Sequence, residues 1–387
     1  MRAFVALMYA TTLVAHLPVA LLVRPLLVWA GVTPSPAVLL VGALLLALPF
    51  GGRLRLAMWD RPVGPVRRLV VEELYFVHWC AAVMALPLFL LAALGYGLIS
   101  QLDLDGLFSW ATGQRLYGAS YGVALALAAW GVLVRRRWLR VVTIDVPVAG
   151  LGTAFDGYRI AQLSDLHVGS LCPPTWAERW VRIVNELDVD AVALTGDYVS
   201  SGVTFHQAIA AALGRLQARD GVFAVMGNHD YFGDGEPLMT LLREGGVVLL
   251  RNEHVTVERN GDHFCLAGVD DRFTERTDIA AALAGRDPDL PLIVLVHDPT
   301  AFLPLADRGA ALVLCGHTHW GQLAVPGASR RFNYARLSQP FCAGRYERRG
   351  AQLYVTPGLG TTGPPLRIGT WPEITVLRLR AGPQSPP

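Results

Sequence analysis

Four long apolar stretches fill the first third of this 387-residue chain, and they constrain its fold more than any other feature. They lie at about residues 4–23, 32–50, 74–98 and 116–134. Each approaches the roughly 20 apolar residues that a helix needs to cross the hydrocarbon core of a membrane. The second is the weakest, because Pro34 and Pro36 leave only residues 37–50 as uninterrupted helix. A cleaved signal peptide could explain the first stretch but not the other three. We therefore predict an all-α transmembrane region of about four helices over residues 1–140.

Charged residues are distributed unevenly along the chain. Residues 1–140 contain 12 Arg and 5 acidic residues, whereas residues 141–387 contain 21 Arg and 26 acidic residues. Arg is concentrated after the second apolar stretch and again directly after the fourth, at Arg135–Arg137, whereas Asp103 and Asp105 lie between the third and the fourth. Because cytoplasmic loops retain basic residues, this pattern predicts a multi-pass protein of the inner (plasma) membrane. Both termini and everything after Arg140 are then expected in the cytoplasm.

Composition also disfavours two classes of protein. A nucleic-acid-binding domain needs a basic surface that neutralises phosphates, and the acidic excess after residue 140 does not supply one, so no nucleic-acid partner is expected. The five Cys are scattered without a closely spaced pair. They therefore predict no disulfide framework.

From Val141 onwards, short β-rich runs alternate with amphipathic helices. The pattern predicts helices at 175–187 and 205–216, and strands at 158–163, 191–195, 222–226, 247–250, 264–267, 292–296, 311–315, 353–356 and 374–379. This alternation indicates an α/β domain over residues 141–381. The Pro-rich tail, residues 382–387, is predicted to be disordered.

Clusters of Asp, His and Asn directly follow five of the predicted strands. They are Asp165-Leu166-His167, Gly196-Asp197, Gly227-Asn228-His229-Asp230, His297 and Gly316-His317-Thr318-His319. The carboxyl ends of strands in open α/β sheets form ligand sites, and these side chains are ligands that Zn, Mn and Fe accept. An extended backbone would send both side chains of each Asp-x-His or His-x-His pair to one side, and the glycines would let the backbone turn tightly. The sequence therefore predicts a metal centre.

This ordered set of motifs resembles the signature of calcineurin-like metallophosphoesterases over about residues 158–379. Gly-His-Thr-His-Trp-Gly-Gln at 316–322 and Gly-Leu-Gly-Thr at 358–361 are most similar to bacterial membrane-associated phosphoesterases of the YaeI/YkuE type. The resemblance implies a four-layer α/β/β/α sandwich, preceded here by the apolar region. It also implies a metal-dependent phosphoesterase that hydrolyses a phosphate mono- or diester by attack of a hydroxide bridging two metal ions.

The resemblance also implies a role for each motif residue. The implied ligands of a first metal ion are Asp165, His167 and His319. The implied ligands of a second ion are Asn228, His297 and His317. Asp197 would bridge the two ions, and the catalytic His229 would face the scissile phosphate, with Asp230 hydrogen-bonded to its far ring nitrogen. The ligands suit Mn, Zn and Fe equally, so the sequence does not select among these metals.

The substrate stays open at this point. Confinement to a membrane raises the effective concentration of membrane-resident molecules, which favours a phospholipid or a lipid-linked phosphate, with membrane lipids as partners. One alternative is an anchored phosphodiesterase or nucleotidase that acts on soluble substrates. Another is a non-catalytic metal-binding sensor with the same fold.

Several other residues are functional candidates, and most of them also have a structural interpretation. Trp320 either supplies a stacking face for a substrate or is packed in a loop. The Arg and aromatic side chains of residues 330–336 form either a flap that binds headgroups or a solvated loop. Arg367 is a candidate phosphate contact. His16 and His78 lie inside apolar stretches, where an ionisable group is either functional or simply hydrogen-bonded between helices.

Overall fold

The computed structural model describes residues 2–33, 35–58, 60–101 and 110–382, and the chain divides into two compact units. The first unit comprises Met1–Leu56 and Gly64–Val134. The second comprises Ala57–Val63 and Arg135–Pro387. A short segment between two helical stretches therefore belongs to the second unit, which the sequence did not predict. Of the tail predicted to be disordered, only Gly382 lies among the described residues, and it ends the last strand.

The first unit is helical. Three of its helical stretches are long and apolar enough to cross a membrane, Pro36–Arg53, Pro65–Ile99 and Thr112–Arg137, and a shorter apolar helix covers Ala6–Leu22. About four apolar helices agree with the prediction. Pro36 begins a helix rather than interrupting one, because Ser35 caps it and Pro is tolerated at the first helical position. The helices are α1 (Arg2–Leu22), α2 (Arg24–Trp29), α3 (Pro36–Ala47), α4 (Pro49–Met58), α5 (Pro65–Arg67), α6 (Leu74–Gln101) and α7 (Trp110–Ala129), with π-helical turns at Arg68–Glu73 and Trp130–Val134.

His16 and His78 form one chain of hydrogen bonds inside this helical unit. Their Nε2 atoms lie 3.0 Å apart, and His78 Nδ1 lies 2.7 Å from the Tyr121 hydroxyl. His16 Nδ1 donates to the Thr12 carbonyl at 2.6 Å. Four neutral groups thus satisfy one another, which agrees with the interpretation of hydrogen-bonded helix partners. Asp103 and Asp105, on which part of the topology prediction rests, lie outside the described residues.

The second unit contains two six-stranded sheets. The strand order is β1-β12-β2-β3-β4-β5 in the first sheet and β10-β11-β9-β8-β7-β6 in the second. The neighbours β2, β3 and β4 are parallel, as are β7, β8 and β9. The strands are β1 (Arg140–Ala149), β2 (Arg159–Leu163), β3 (Ala191–Thr195), β4 (Gly221–Val225), β5 (Val248–Leu249), β6 (Glu253–Arg259), β7 (Asp262–Val269), β8 (Leu292–Val296), β9 (Ala310–Cys315), β10 (Gly344–Arg348), β11 (Ala351–Val355) and β12 (Glu373–Gly382).

Three apolar cores stack this unit into four layers. Ile160 and Phe223 of the first sheet pack against Leu295 and Leu314 of the second, which forms the core between the sheets. A second core joins the outer face of the first sheet to three helices, and a third joins the second sheet to two shorter ones. These helices are α8 (Pro174–Asn185), α9 (His206–Leu213), α10 (Glu236–Glu244), α11 (Ile279–Leu283) and α12 (Phe302–Ala306). The four-layer α/β/β/α sandwich is confirmed.

Within the second unit, Asp60 binds the segment Ala57–Val63 to the loop that contains Ser170. The Asp60 side chain is buried, and its Oδ1 accepts from the Ser170 backbone N–H at 2.9 Å and from the Ser170 hydroxyl at 2.8 Å. The Arg61 N–H lies 3.0 Å from the same hydroxyl oxygen. Ser170 follows His167 closely in the chain, so this segment meets the loop that carries one of the predicted metal ligands.

Candidate metal centre

The five clusters lie close together at the ends of strands from both sheets. The clusters follow β2, β3 and β4 in the first sheet and β8 and β9 in the second. Hydrogen bonds join these strand ends between the sheets and within one of them. The His297 ring Nδ1 donates to the Thr195 carbonyl of the first sheet at 2.7 Å, and the Gly316 N–H donates to the His297 carbonyl within the second sheet at 3.1 Å. The separate motifs of the sequence are therefore neighbours in space.

One group of potential ligand atoms comes from Asp165, His167 and His319. The Nε2 atoms of His167 and His319 lie 2.9 Å apart, and Asp165 Oδ1 lies 3.4 Å from His319 Nε2. These three residues, all buried, each offer one ligand atom within 4.8 Å of the others. They are the three residues that the sequence assigned to a first ion.

A second group comes from Asn228, His297 and His317. The His317 Nδ1 atom lies 3.1 Å from Asn228 Oδ1 and 3.2 Å from His297 Nε2. Asp197 lies between the two groups, because its Oδ2 is 3.1 Å from His297 Nε2 and 3.6 Å from His167 Nε2. A single carboxylate oxygen thus faces ligand atoms of both groups, which is the position of a bridging ligand.

Bound cations would satisfy these ligand atoms more fully than their contacts with one another do. Each neutral imidazole has one N–H, so a close nitrogen–nitrogen contact such as that of His167 and His319 is satisfied only if one ring donates to the other. Here such contacts occur twice, beside two buried carboxylates. Buried charge and buried lone pairs need partners. Two metal ions would satisfy all seven ligand atoms at once, and carboxylate, imidazole and amide groups are ligands of Mn, Zn and Fe.

Burial and the neighbouring charges set the protonation states of the predicted ligands. It lowers the pKa of His167 to about 3 and that of His319 well below its ordinary value, so both rings are neutral at pH 7. Burial alone would raise the pKa of Asp197, but the imidazoles of His297 and His229 hold it well below its ordinary value. Burial alone would lower the pKa of His297, but the carboxylates of Asp197 and Asp165 raise it well above its ordinary value, so this ring would release a proton when a metal ion binds.

The backbone at these ligands is not extended, so that part of the prediction was wrong. Asp165 and His167 have φ of 53° and 46°, Asp197 has 57°, and His317 and His319 have 71° and 50°. Residues other than Gly rarely adopt this left-handed conformation, which costs on the order of 1–3 kcal/mol each. The paired side chains converge because both members of each pair adopt it, and packing of the two sheets maintains the strain.

Glycine is required next to the carboxylates for a different reason from the one predicted. Of the glycines at 196, 227 and 316, only Gly196 has a positive φ, of 89°. A Cβ at Gly316 would collide with the Asp165 carboxylate, and one at Gly227 with that of Asp197. Close approach of a ligand side chain, rather than a tight turn, therefore excludes larger residues at these two positions.

His229 lies beside the two groups, but its ring is oriented by a backbone carbonyl. His229 Nδ1 donates to the Ser200 carbonyl at 2.6 Å, which leaves Nε2 as the atom that exchanges a proton. The predicted hydrogen bond from Asp230 to this ring is wrong. The ring also lies near His167 and Asp197, within 4.8 Å between ligand atoms, so proximity alone does not distinguish it from the ligands. No sequence motif could reveal Ser200, because its contribution is a main-chain oxygen.

Asp230 instead organises the loops around the centre. Its Oδ1 accepts from the N–H groups of Tyr198 and Val199 at 2.7 and 3.2 Å, and its Oδ2 accepts from those of Asp197 and Gly227 at 2.9 Å each. The side chain is buried. A carboxylate with four backbone donors fixes the turn that carries Asp197, the predicted bridging ligand, so its role is in the geometry of the site.

Two other residues that the sequence singled out are structural. The Trp320 indole N–H donates to the Val355 carbonyl at 2.7 Å, and its ring packs beside Cys342. Arg367 is fully buried and donates to the carbonyls of Pro357 and Gly360 at 2.8 and 2.6 Å, so the predicted phosphate contact is wrong. These two side chains support the loops near the centre without facing it.

The fold and the gathered ligands define a metallophosphoesterase. A family model described as calcineurin-like phosphoesterase matches residues 158–321. The chain is 31% identical over 285 residues to the uncharacterized metallophosphoesterase YkuE of Bacillus subtilis, a match that covers 72% of this chain and 96% of that protein. It is 32% identical to YkoQ of the same bacterium over 222 residues, covering 56% of this chain and 81% of that protein. The chain belongs to the calcineurin-like phosphoesterase family, as its motifs predicted.

A vertebrate relative is named as a transmembrane protein. The chain is 35% identical over 272 residues to a zebrafish (Danio rerio) transmembrane protein with a metallophosphoesterase domain. This match covers 67% of the chain but only 61% of the relative's length. A transmembrane protein with a metallophosphoesterase domain therefore also occurs in a vertebrate.

Proposed function

We propose that the protein hydrolyses a phosphate mono- or diester at a two-metal centre formed by Asp165, His167, Asp197, Asn228, His297, His317 and His319. The observation that carries the proposal is the position of Asp197 Oδ2, which lies 3.1 Å from His297 Nε2 and 3.6 Å from His167 Nε2. Two cations about 3.5–4 Å apart need a shared anion between them, and one carboxylate faces both ligand groups. Membership of the phosphoesterase family supports the same reaction class.

The chemistry divides between the ions and the side chains. When bound, two ions of Mn, Zn or Fe would lower the pKa of a water towards 7 and offset the charge of the phosphoryl oxygens. His229 presents Nε2 beside the centre, held by the bond from Nδ1 to the Ser200 carbonyl. In its protonated form it donates to the leaving oxygen, a contribution of about 10²–10⁴ in rate. The Thr362 hydroxyl, 3.5 Å from Nε2, lies where it can contact the same phosphate.

We infer the location from the distribution of Arg. Basic residues after the second apolar stretch and directly after the fourth support a cytoplasmic position for the second unit in a multi-pass inner-membrane protein. A reporter fused after Gly382 that is active only in the cytoplasm would test this orientation.

Elemental analysis combined with a substrate panel tests the proposed reaction. We expect the purified full chain to retain close to two transition-metal ions and to hydrolyse bis-p-nitrophenyl phosphate or p-nitrophenyl phosphate. Asp197→Ala should lose both metal and activity, because the shared anion is removed. His229→Ala should keep the metal and lose about 10²–10⁴-fold in kcat.

The matched control is His263→Ala. His263 is an exposed histidine on β7 whose ring faces Glu258 rather than the metal centre. Its replacement should leave the metal content and kcat unchanged. Full activity in a metal-analysed Asp197→Ala protein would contradict the proposal. A folded wild-type protein that binds no transition metal would favour the non-catalytic alternative.

A further inference from the structure

An exposed apolar loop follows the last predicted metal ligand. Residues 323–337, here called the arginine loop, begin shortly after His319 and precede β10. The side chains of Leu337, Tyr334 and Phe332 are 83%, 67% and 55% exposed, and Leu323 and Val325 are also exposed. Single exposed apolar residues are ordinary, but a contiguous set of this size marks an interaction surface.

The arginine loop is ordered by its own hydrogen bonds. The Val325 N–H donates to the Phe332 carbonyl at 2.9 Å, and the Tyr334 N–H donates to the Leu323 carbonyl at 2.9 Å. Asn333 accepts from the Arg336 N–H at 3.0 Å, and Ala335 is buried against the body of the unit. The apolar side chains are therefore presented to solvent by a fixed backbone.

The loop is strongly basic. Arg330, Arg331 and Arg336 lie within it, and no Asp or Glu occurs between His317 and Tyr346. Among the ion pairs of the described residues, none joins these three guanidinium groups to a carboxylate; Arg330 donates to the Arg345 carbonyl and lies over the Tyr346 ring, and Arg331 lies over the Phe332 ring. Arg without a carboxylate partner, beside exposed Leu, Phe and Tyr, is the composition of segments that lie in the interface of an anionic membrane.

Hydrogen bonds tie the base of the loop to the start of this unit. The Gln322 carbonyl accepts from the Thr370 hydroxyl at 3.1 Å, and the Thr370 carbonyl accepts from Arg135 Nε at 2.8 Å. Arg135 lies at the end of the apolar stretch Thr112–Arg137. Trp138, half exposed, packs edge-on against Trp371 with centroids 5.4 Å apart. Trp is enriched at membrane–water interfaces, so the Trp138 and Trp371 rings suit a position at such an interface.

The same loop base also reaches the candidate centre. Gln322 Nε2 donates to the Thr362 carbonyl at 3.0 Å, and the Thr362 hydroxyl is 3.5 Å from His229 Nε2. The Phe232 ring lies 4.7 Å from the His229 imidazole and 6.2 Å from the exposed ring of Phe273. The loop base therefore reaches His229 through polar groups, and aromatic side chains also border this histidine.

We propose that the arginine loop is a lipid-binding surface. Its apolar side chains enter the interface of an anionic bilayer, and its three Arg bind headgroup phosphates. Lipids that carry a phosphoester then reach the metal centre from the bilayer, a consequence that rests on the proposed function. A small soluble ester needs only the polar groups of the centre and gives no reason for five exposed apolar side chains beside it.

Site-specific fluorescence tests the surface without any turnover. The five native Cys are buried, so Leu337→Cys in the full chain provides one reactive thiol for an environment-sensitive dye. The protein is placed in nanodiscs of phosphatidylcholine alone or with phosphatidylglycerol, each with and without spin-labelled quencher lipid. We expect a blue shift and quenching that increase with phosphatidylglycerol. The matched control, Glu258→Cys on the exposed face of β6, should show neither.

Neutralising the loop separates headgroup binding from apolar insertion. Each Arg at an anionic surface contributes roughly fivefold in affinity, so Arg330→Gln, Arg331→Gln and Arg336→Gln together should abolish most of the phosphatidylglycerol dependence. Equal quenching with and without phosphatidylglycerol would overturn the Arg assignment. Absence of quenching in every bilayer would overturn the surface, and dye protection that depends on protein concentration would favour a second copy of the chain as the occupant.

An activity measurement then links the surface to the substrate. The ratio of kcat/KM for a lipid phosphodiester in anionic nanodiscs to that for bis-p-nitrophenyl phosphate should fall about tenfold or more in the triple Gln variant. An unchanged ratio would overturn lipid delivery. Normal quenching in a protein that hydrolyses no ester would refute the proposed function while the lipid-binding surface stands, so the two failures are distinguishable.

Discussion

Asp230→Asn is the sharpest test of how the centre is held together. The carboxylate accepts two backbone N–H groups at each oxygen, those of Tyr198 and Val199 at one and those of Asp197 and Gly227 at the other. An Asn side chain has nearly the same shape but only one acceptor oxygen. Either orientation of its amide therefore points an NH2 group at two backbone donors.

The size of the effect follows from these four bonds. Two buried N–H groups lose their acceptor, and each such loss costs about 1–3 kcal/mol, so the free energy of unfolding should fall by about 2–6 kcal/mol. For a domain of about this size, 1 kcal/mol corresponds to about 2–4 °C, so the thermal midpoint should fall by about 4–24 °C. Asp230→Ala, which removes all four acceptors, should be at least as destabilising.

The assay is a thermal scan of the full chain in detergent, with tryptophan fluorescence and metal content measured on the same samples. Asp188→Asn is the matched control, because Asp188 is exposed and pairs only with the exposed Arg219. Its midpoint should change by little, since surface ion pairs contribute about 0–1 kcal/mol. Asp188 also has φ of 48°, a conformation that Asn tolerates.

One result would refute this reasoning. If Asp230→Asn unfolds at the wild-type temperature with full metal content yet loses catalysis, Asp230 acts on the reacting groups and not on the fold. That outcome would restore the role that the sequence first suggested, a partner of His229.

Two further substitutions test supports of the centre. Gly169→Ala should lower the thermal midpoint, because its Cβ would collide with the buried Asp60 carboxylate. Gly64→Ala is the control, because a Cβ there meets open space and the φ of −59° suits alanine; equal midpoints for the two variants would contradict the contact. Arg367→Lys should lower the unfolding free energy by about 2 kcal/mol or more, because a single ammonium cannot replace a guanidinium that donates to several carbonyls. Arg378→Lys, at an exposed pair with Asp145, is its control, and similar thermal scans for the two variants would count against a supporting role for Arg367.

The sequence predicted the central strands of the second unit better than the edge strands. Buried parallel strands such as β3 and β8 consist almost wholly of apolar β-branched and aliphatic residues, and this composition locates them directly. β1, β6 and β10 were missed as strands, and each lies at the edge of its sheet. Edge strands carry charged residues that prevent further pairing, so they lack the apolar run on which the prediction depends.

The candidate site shows the same limit in its chemistry. Side-chain ligands at strand ends could be located, because ligand type and position both appear in the sequence. The carbonyl of Ser200 and the left-handed backbone of Asp165 could not, since main-chain contacts leave no mark on residue identity. Asp230 was assigned to the wrong partner because its neighbour in the chain, His229, is not its neighbour in hydrogen bonding.

The short segment around Asp60 has a practical consequence for anyone preparing the second unit without the apolar helices. The second unit consists of two separate segments of the chain. A fragment that starts at Arg135 therefore lacks Ala57–Val63 and leaves Ser170 without the Asp60 carboxylate. A soluble version would have to graft those residues back through a linker, with their carboxylate placed on the loop that follows His167.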